Sequence, residues 1–271
     1  MTIKARNRLT FIFSIVSFVI FLVLLFITLY QVFAKKLSLP IVYTEQISKA
    51  KLLTYNPACV IINIFIELFF VSLTSYIIFR SFEKTQAPDM LFFLLFLFAC
   101  LCDGSRILVP LLGISDTLSL LSIRVGSISL LARFLAPLSL FGATVLSTED
   151  FKQNTESNTL ILLIVAMFFS YLVPINTTAI KPNFCISYAY VKIIKTFSVI
   201  LCLISAFCVF IQALKNEYKA NIVIGFMILC SGYMVTFGSY SILSTILSPL
   251  LLGFGSAIYL SEIHKHYLWI D

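Results

Sequence analysis

Residues 89–112 of this chain, DMLFFLLFLFACLCDGSRILVPLL, form a long and mostly apolar stretch. It is long enough to cross a bilayer, because about 20 consecutive apolar residues suffice. Yet it contains Asp103 and Arg106, and a charged side chain at such depth costs about 2.5–3.5 kcal/mol on insertion scales. The two residues are three apart and therefore share one helix face. This pattern predicts a membrane helix whose charged face is turned toward other helices.

The composition of the whole chain agrees with this interpretation. Of its 271 residues, 60% are hydrophobic and only 11% are charged, and the mean hydropathy is +1.04. Soluble domains are near half apolar and about a quarter charged. The longest polar stretch, residues 34–57, has the size of a loop. We therefore predict an all-α, polytopic integral membrane helix bundle, in which residues 1–271 form a single transmembrane domain with no soluble domain.

Apolar windows predict about eight transmembrane helices. Residues 220–262 show no strong break, but a helix of about 42 residues would be roughly 63 Å long, so we expect a turn near Gly238. Seven helices would remain if the first were removed as a signal peptide, although its apolar region is longer than such peptides usually have. The predicted spans are 10–33, 58–79, 89–112, 118–146, 159–178, 190–213, 220–237 and 241–262.

The net charge of +7 comes from basic residues at the helix ends, which orient membrane spans, and we expect no nucleic-acid partner. An N terminus in the cytoplasm places more Lys and Arg residues in inner than in outer segments, so both termini are predicted to be cytoplasmic. A composition rich in Ile, Leu, Phe and Lys favours the cytoplasmic (inner) membrane of a bacterium. The inner basic residues are Lys4, Arg6, Arg8, Arg80, Lys84, Lys152, Lys215, Lys219 and Lys265, and the outer ones are Lys35, Lys36, Lys49, Lys51 and Lys181, with Lys192 and Lys195 nearby.

Two further charges, Glu67 and Arg133, lie deep inside apolar segments. From the helix rise, Glu67 and Asp103 are each roughly 13 Å below the outer surface, while Arg106 is roughly 9 Å and Arg133 roughly 22 Å below it. Two acids and two bases sum to zero, which predicts a buried ion-pair network joining three helices. The alternative is that the same layer surrounds a polar ligand or ion.

Small and polar residues accompany these charges on their helix faces. Asn63 and Thr74 lie on the face of Glu67, and Ser122, Gly126 and Ser129 lie on the face of Arg133. Such faces are typical of helix surfaces that point into a membrane bundle.

The last two spans carry uncharged faces of small residues. We interpret them as close helix packing, with a lined cavity or a hinge as the alternative. The residues concerned are Asn221, Gly225, Gly232 and Thr236 in one span and Ser241, Ser244, Ser248 and Gly255 in the other.

Two of the seven cysteines lie on the predicted outer side, Cys59 at the start of a span and Cys185 in a loop. In an oxidising compartment they could form a disulfide. Two cysteines on one side of a membrane are often unrelated, so the sequence leaves both alternatives open.

Sequence motifs for catalysis and cofactors are absent. No HExxH, GxSxG, P-loop or GxGxxG pattern occurs, so we predict no enzymatic activity, no cofactor and no metal site. The two histidines, His264 and His266, lie just past the last predicted span and are interpreted as part of a basic interfacial tail.

These observations leave three classes of function. The first is a sensor or receptor-like module that detects a small ligand or membrane state and signals through a cytoplasmic or membrane partner. The second is a small transporter or channel for a polar solute or ion that uses the charged layer. The third is an assembly or scaffold subunit of a membrane complex. Each of them has the lipid bilayer as a partner.

Overall fold

The structure is a computed structural model, and it describes residues 3–39, 54–83, 87–113, 120–146, 155–215 and 218–268. Within these ranges the chain is a helical bundle with one two-stranded antiparallel sheet, so the predicted all-α fold class is confirmed. The elements are α1 (Ile3–Phe33), α2 (Pro57–Ser81), α3 (Asp89–Asp103), a 3₁₀ turn (Gly104–Ile107), α4 (Leu108–Leu111), α5 (Leu120–Val145), α6 (Thr155–Leu172), β1 (Ile175–Ile180), β2 (Ile186–Tyr188), α7 (Val191–Leu214), α8 (Ala220–Thr236) and α9 (Ile242–Leu268).

Seven helical segments of the described chain are long and apolar enough to cross a membrane, and the protein is a multi-pass membrane protein. The segment Asp89–Leu111 counts as one of them, since α3, the 3₁₀ turn and α4 follow one another directly. The eighth apolar helix is α8, whose 17 residues span about 25 Å. The predicted turn near Gly238 separates α8 from α9.

The fifth predicted span is shorter than expected. We predicted a helix through residue 178, but α6 ends at Leu172 and the chain then forms the strands β1 and β2. Pro174 cannot donate to a helical hydrogen bond, and the following Ile and Thr residues favour extended backbone. In the sheet Ile175 pairs with Tyr188.

The two ends of the described chain lie on one side of the bundle, which we call the terminal face. There Arg6 Nη2 donates to the carbonyl of Phe82 at 2.7 Å, and the ring of His264 packs on Phe82 with centroids 5.1 Å apart. The opposite side, which we call the hairpin face, carries β1 and β2. On that side Gln31 Nε2 donates to the carbonyl of Leu111 at 2.9 Å. Of the lysines used to predict orientation, Lys49, Lys51, Lys84 and Lys152 lie outside the described residues.

The helices divide into a central and a peripheral group. In α5, 83% of the most apolar part is buried inside the protein, whereas in α1 only 17% is buried. The helices α2 and α3 resemble α5 in this respect, and α6 and α7 resemble α1. The predicted charged residues all lie in or directly after the central helices, where lipid does not reach them.

Glycines allow α8 and α9 to pack with their backbones in contact, as the small-residue faces predicted. A Cβ atom at Gly225 would lie 2.7 Å from the backbone nitrogen of Tyr259. A Cβ atom at Gly255 would lie 2.5 Å from the backbone nitrogen of Leu229. Real Cβ atoms do not approach backbone this closely, so the pair of helices requires glycine at both positions.

Candidate functional site

Four buried charged side chains form one ion-paired cluster, which we call the charged quartet: Glu67, Asp103, Arg106 and Arg133. Arg106 Nη2 lies 3.0 Å from Glu67 Oε2 and 2.7 Å from Asp103 Oδ2. Arg133 Nη2 lies 3.1 Å from the same Asp103 oxygen. None of the four is more than 5% exposed, so the charges interact in a medium of low dielectric constant. The structure thus brings all four candidate residues together.

The position of Arg106 depends on a local break in a span that we predicted as one continuous helix. After α3 ends at Asp103, the 3₁₀ turn brings residues i and i+3 into line, and Arg106 Nε donates to the carbonyl of Asp103 at 2.9 Å. Gly104 opens this turn toward α2, since a Cβ atom there would lie 2.5 Å from Leu68 Cδ2. Because Leu68 follows Glu67 in the chain, this close approach lets Glu67 reach Arg106.

The four charges do not share their partners evenly. Arg106 contacts both carboxylates and also donates through Nη1 to the carbonyl of Asn183 at 3.3 Å. Arg133 contacts one carboxylate oxygen and lies over the ring of Phe237, with Cζ 4.1 Å from the centroid. Among the described residues, Arg133 Nε, Arg133 Nη1 and Asp103 Oδ1 have no hydrogen-bond partner. Negative charge is therefore concentrated around Arg106, and the Arg133 end of the quartet is relatively positive.

The hairpin formed by β1, β2 and the turn between them packs into the bundle on the hairpin-face side of the quartet. Phe184, Cys185 and Ile186 are each at most 2% exposed. Phe184 has a φ of 62°, a left-handed conformation that costs a non-glycine residue about 1–2 kcal/mol. Burial of its side chain contributes about 1.5–3 kcal/mol and offsets that cost. The turn is thus anchored by its apolar side chains.

Asn183 connects this hairpin to two other parts of the bundle. Its carbonyl accepts from Arg106, and its Nδ2 donates to the carbonyl of Phe237, directly after α8, at 3.2 Å. Its Oδ1 accepts from the backbone nitrogen of Cys185 at 3.2 Å, which fixes the side chain within the turn. A displacement of the hairpin at Asn183 would therefore change the hydrogen bonding of Arg106.

The small residues predicted on the face of Arg133 meet the hairpin. Ser129 Oγ lies 2.6 Å from Cys185 Sγ. A Cβ atom at Gly126 would lie 3.1 Å from Ile175 Cγ2, so the glycine lets β1 approach α5. Ser122 is buried near the start of α5, about three helical turns before Arg133.

The polar residues predicted on the face of Glu67 are both buried, but the structure does not bring them to the charges. Asn63 Oδ1 accepts from the hydroxyl of Ser248 on α9 at 3.2 Å. Thr74 lies two turns beyond Glu67 along α2, toward the terminal face. Asn63 thus connects α2 to α9 and does not contact the quartet.

The disulfide considered for Cys59 and Cys185 is not formed. Both residues are free thiols in the structure. The side chain of Cys185 points to Ser129 on α5, whereas Cys59 lies in the first turn of α2 and its carbonyl accepts from Thr245 on α9 at 3.2 Å. The two side chains therefore face different neighbours, although both lie near the hairpin face.

Lys181 is a titratable side chain of the hairpin. From the sequence we expect it only to help orient the membrane spans. Burial lowers the pKa of Lys181 to about 8, with Cys185 opposing and Arg133 adding to the shift. Lys181 Nζ also lies 3.1 Å from the centroid of the Tyr188 ring, a contact that favours the charged amine. The hairpin thus contains an amine that loses its proton just above neutral pH.

Sequence reasoning missed the residues that connect the quartet to its surroundings, above all Asn183 and Phe237. A signal for the hairpin was present: Pro174 precedes the β-branched run of Ile175–Ile180, and Pro182 with Asn183 then marks a turn. The predicted span 159–178 includes part of this run because it rests on apolar windows alone.

A second buried carboxylate, Asp89, lies at the terminal face. It is fully buried, and its Oδ2 accepts from the hydroxyls of Tyr267 at 3.0 Å and Tyr218 at 3.4 Å. The ring of His266 packs edge-on against Tyr218 with centroids 5.3 Å apart. The predicted interfacial tail is thus packed against the bundle, and Asp89 connects the start of α3 to the end of α9.

The chemistry that this arrangement offers is the pairing and re-pairing of charges. Arginine keeps its proton in proteins, so proton uptake at the quartet would have to occur on a carboxylate. Within the described residues, no group of three or more His, Cys, Asp or Glu side chains is arranged to hold a metal ion. Comparison of the chain with protein-family models, curated proteins and solved structures finds no match.

Proposed function

We propose that the protein is a membrane-embedded sensor or receptor-like module that detects a small polar ligand or a change in membrane state. One observation carries this proposal: the carbonyl of Asn183 accepts a hydrogen bond from Arg106, at the centre of the quartet. Through this bond, an event at the hairpin face would reach charges held by α2, α3 and α5. A ligand acts on such a protein by favouring one of two arrangements.

The pairing of the quartet supports a role as the element that changes arrangement. Asp103 Oδ2 is shared by Arg106 and Arg133, while Asp103 Oδ1 has no partner in the described chain. If Arg106 moved slightly, Arg133 could therefore donate to Asp103 Oδ1 instead of Oδ2 and stay paired with Asp103. Two discrete hydrogen-bonding patterns of this kind are what a switch requires.

In this proposal the output passes to a separate cytoplasmic or membrane partner. The proposal places the terminal face in the cytoplasm of a bacterial cell and the hairpin face outside, as the Lys and Arg bias favours. The proposal includes no enzymatic step. Arg80 at the end of α2 and Lys215 after α7 belong to the cytoplasmic surface in this orientation.

Crosslinking in the native membrane, followed by pull-down of the tagged protein and mass spectrometry, tests this proposal. If the protein is a sensor, the pull-down should recover a kinase, cyclase or transcriptional regulator reproducibly. An unrelated tagged multi-pass protein from the same membrane is the control for non-specific capture. If repeated preparations contain no partner beyond those found with the control, the sensor proposal fails.

A second candidate function is a small transporter or channel for a polar solute or ion. It is favoured by the polar atoms of Arg133 and Asp103 that lack partners in the described chain, since a passing solute could satisfy them. Flux of labelled solutes into proteoliposomes tests it, with Arg133→Lys as the variant. Flux that is equal in the two proteins would contradict a path along Arg133.

A further inference from the structure

The Arg133 end of the quartet has hydrogen-bond donors that the protein itself does not use. Arg133 is 1% exposed, and its Nε and Nη1 have no acceptor among the described residues. Buried polar groups are rarely left in this state, because each costs about 1–3 kcal/mol, and charged groups cost more. A bound molecule that accepts hydrogen bonds at Arg133 would remove this cost.

Tyr233 offers a further unused polar group next to Arg133. Tyr233 lies on α8, four residues before Phe237, and the two rings meet edge to face with centroids 5.4 Å apart. The guanidinium of Arg133 lies over this same Phe237 ring. The Tyr233 hydroxyl is buried and has no partner in the described chain. Arg133 on α5 and Tyr233 on α8 therefore both contact the ring of Phe237.

The charge distribution indicates which ligand would bind there. Arg106 is surrounded by two carboxylates, whereas Arg133 shares one carboxylate oxygen with it. The local excess of positive charge at Arg133 favours an anion over a cation or a neutral solute. The ligand must also be compact, because Arg133, Tyr233 and Asp103 are at most 5% exposed.

We propose that the Arg133 end of the quartet binds a compact monovalent anion, a halide or a small carboxylate, with Arg133 and the Tyr233 hydroxyl as donors. This inference rests on the proposed function, because it names the class of ligand that the module detects. The hairpin covers the site: Ser129, one turn before Arg133 on α5, contacts Cys185 in the hairpin turn. Anion binding and hairpin position are thus coupled.

Thermal unfolding of the purified wild-type protein in detergent tests the proposal. Chloride, formate and acetate are each titrated against gluconate, a bulky anion, at constant ionic strength. Wild type should be stabilised by at least one compact anion with a saturating dependence, and comparison of the three distinguishes a halide site from a carboxylate site. Tyr233→Phe removes one hydroxyl and should raise the half-saturating concentration at least about tenfold, as expected for a hydrogen bond to a charged group.

The matched control is Tyr259→Phe, another buried tyrosine, whose ring packs between Phe93 and Phe226 away from the quartet. It should bind the anion as wild type does. Wild-type stability that is equal in all four anions would overturn the proposal, because bound water could then satisfy the same atoms. So would an anion dependence that Tyr233→Phe leaves unchanged.

The two proposals can fail separately. If the protein binds an anion but no partner is crosslinked, the anion-site proposal stands and transport is favoured over sensing. A crosslinked partner without anion binding would keep the sensor and reject this ligand class.

Discussion

Replacing Glu67 by Gln removes one negative charge from the quartet and leaves a side chain of nearly the same shape. In the wild-type protein Glu67 Oε2 lies 3.0 Å from Arg106 Nη2, and both side chains are at most 3% exposed. Removing one partner of a buried ion pair costs about 3–5 kcal/mol, because the other charge stays buried. Arg106 retains Asp103, and Gln still accepts a hydrogen bond. We therefore expect the lower end of this range, about 3 kcal/mol.

Glu262→Gln is the matched control, since Glu262 pairs with Lys265 at 2.8 Å but the Lys265 side chain is 53% exposed. Because Lys265 is exposed and water solvates it when its partner is removed, we expect this pair to contribute at most about 1 kcal/mol. The assay is thermal unfolding in detergent, monitored with a dye that reacts with buried thiols such as Cys202 when unfolding exposes them. At about 2–4 °C per kcal/mol, Glu67→Gln should lower the midpoint by about 6–12 °C. The control should lower it by no more than about 4 °C.

The double variant Glu67→Gln, Arg106→Gln makes the test specific for the pair. If the two side chains interact, the double variant loses less stability than the sum of the single variants. Additive losses, or equal midpoints for Glu67→Gln and Glu262→Gln, would refute the claim that the quartet is a coupled, buried network.

Three further predictions concern the hairpin and the helix packing. A lysine with a lowered pKa destabilises the fold only while it is protonated, so the wild type should gain stability relative to Lys181→Met as the pH rises from 8 to 10.5. The gain in unfolding free energy should reach about 3 kcal/mol, and thermal unfolding across this pH range measures it. Gly255→Ala should cost about 1–3 kcal/mol by the same assay, because its Cβ would meet the backbone of α8, whereas Gly253→Ala, which has open space, should be neutral or slightly stabilising. Asn183→Ala should release the hairpin turn and accelerate maleimide labelling of Cys185, which is 2% exposed in the wild type.

Each of these predictions has a clear contrary result. Parallel pH profiles of wild type and Lys181→Met would show that this amine does not titrate in the fold as described. Equal effects of alanine at the two glycines would contradict the close contact of α8 and α9. Unchanged labelling of Cys185, with Cys59 as the more exposed internal reference, would show that Asn183 does not hold the turn.

Hydrophobicity alone was sufficient for most of the helices, because every backbone group in a bilayer must be satisfied within the protein. The end of α6 was the main exception. The segment Ile175–Ile180 mixes Ile and Thr residues, which favour a strand, with the end of an apolar window that is compatible with a helix; Pro174 favours the strand. Likewise, the 3₁₀ turn after Asp103 could not be predicted from hydropathy, since it arises where Gly104 packs against Leu68.

The members of the quartet were predictable because a charge deep in an apolar span is costly and must find partners. Their pairing was not, since it depends on how far α2 and α5 approach the turn that holds Arg106. The role of Asn183 was hidden for a different reason: it lies in a polar loop, where an asparagine is the ordinary turn residue. Only the folding of that loop into the bundle gives Asn183 contact with the charges.

A crosslinking pull-down carried out in parallel on wild type and Asn183→Ala tests whether the hairpin and the charged quartet act together. We expect wild type to recover a signalling partner, and we expect the release of the hairpin to change the amount recovered while the protein stays folded in the membrane. Labelling of Cys185 in the same samples reports whether the hairpin has moved. A partner recovered equally from both proteins, with Cys185 fully accessible in the variant, would contradict the claim that the hairpin and the charged quartet form one signalling unit.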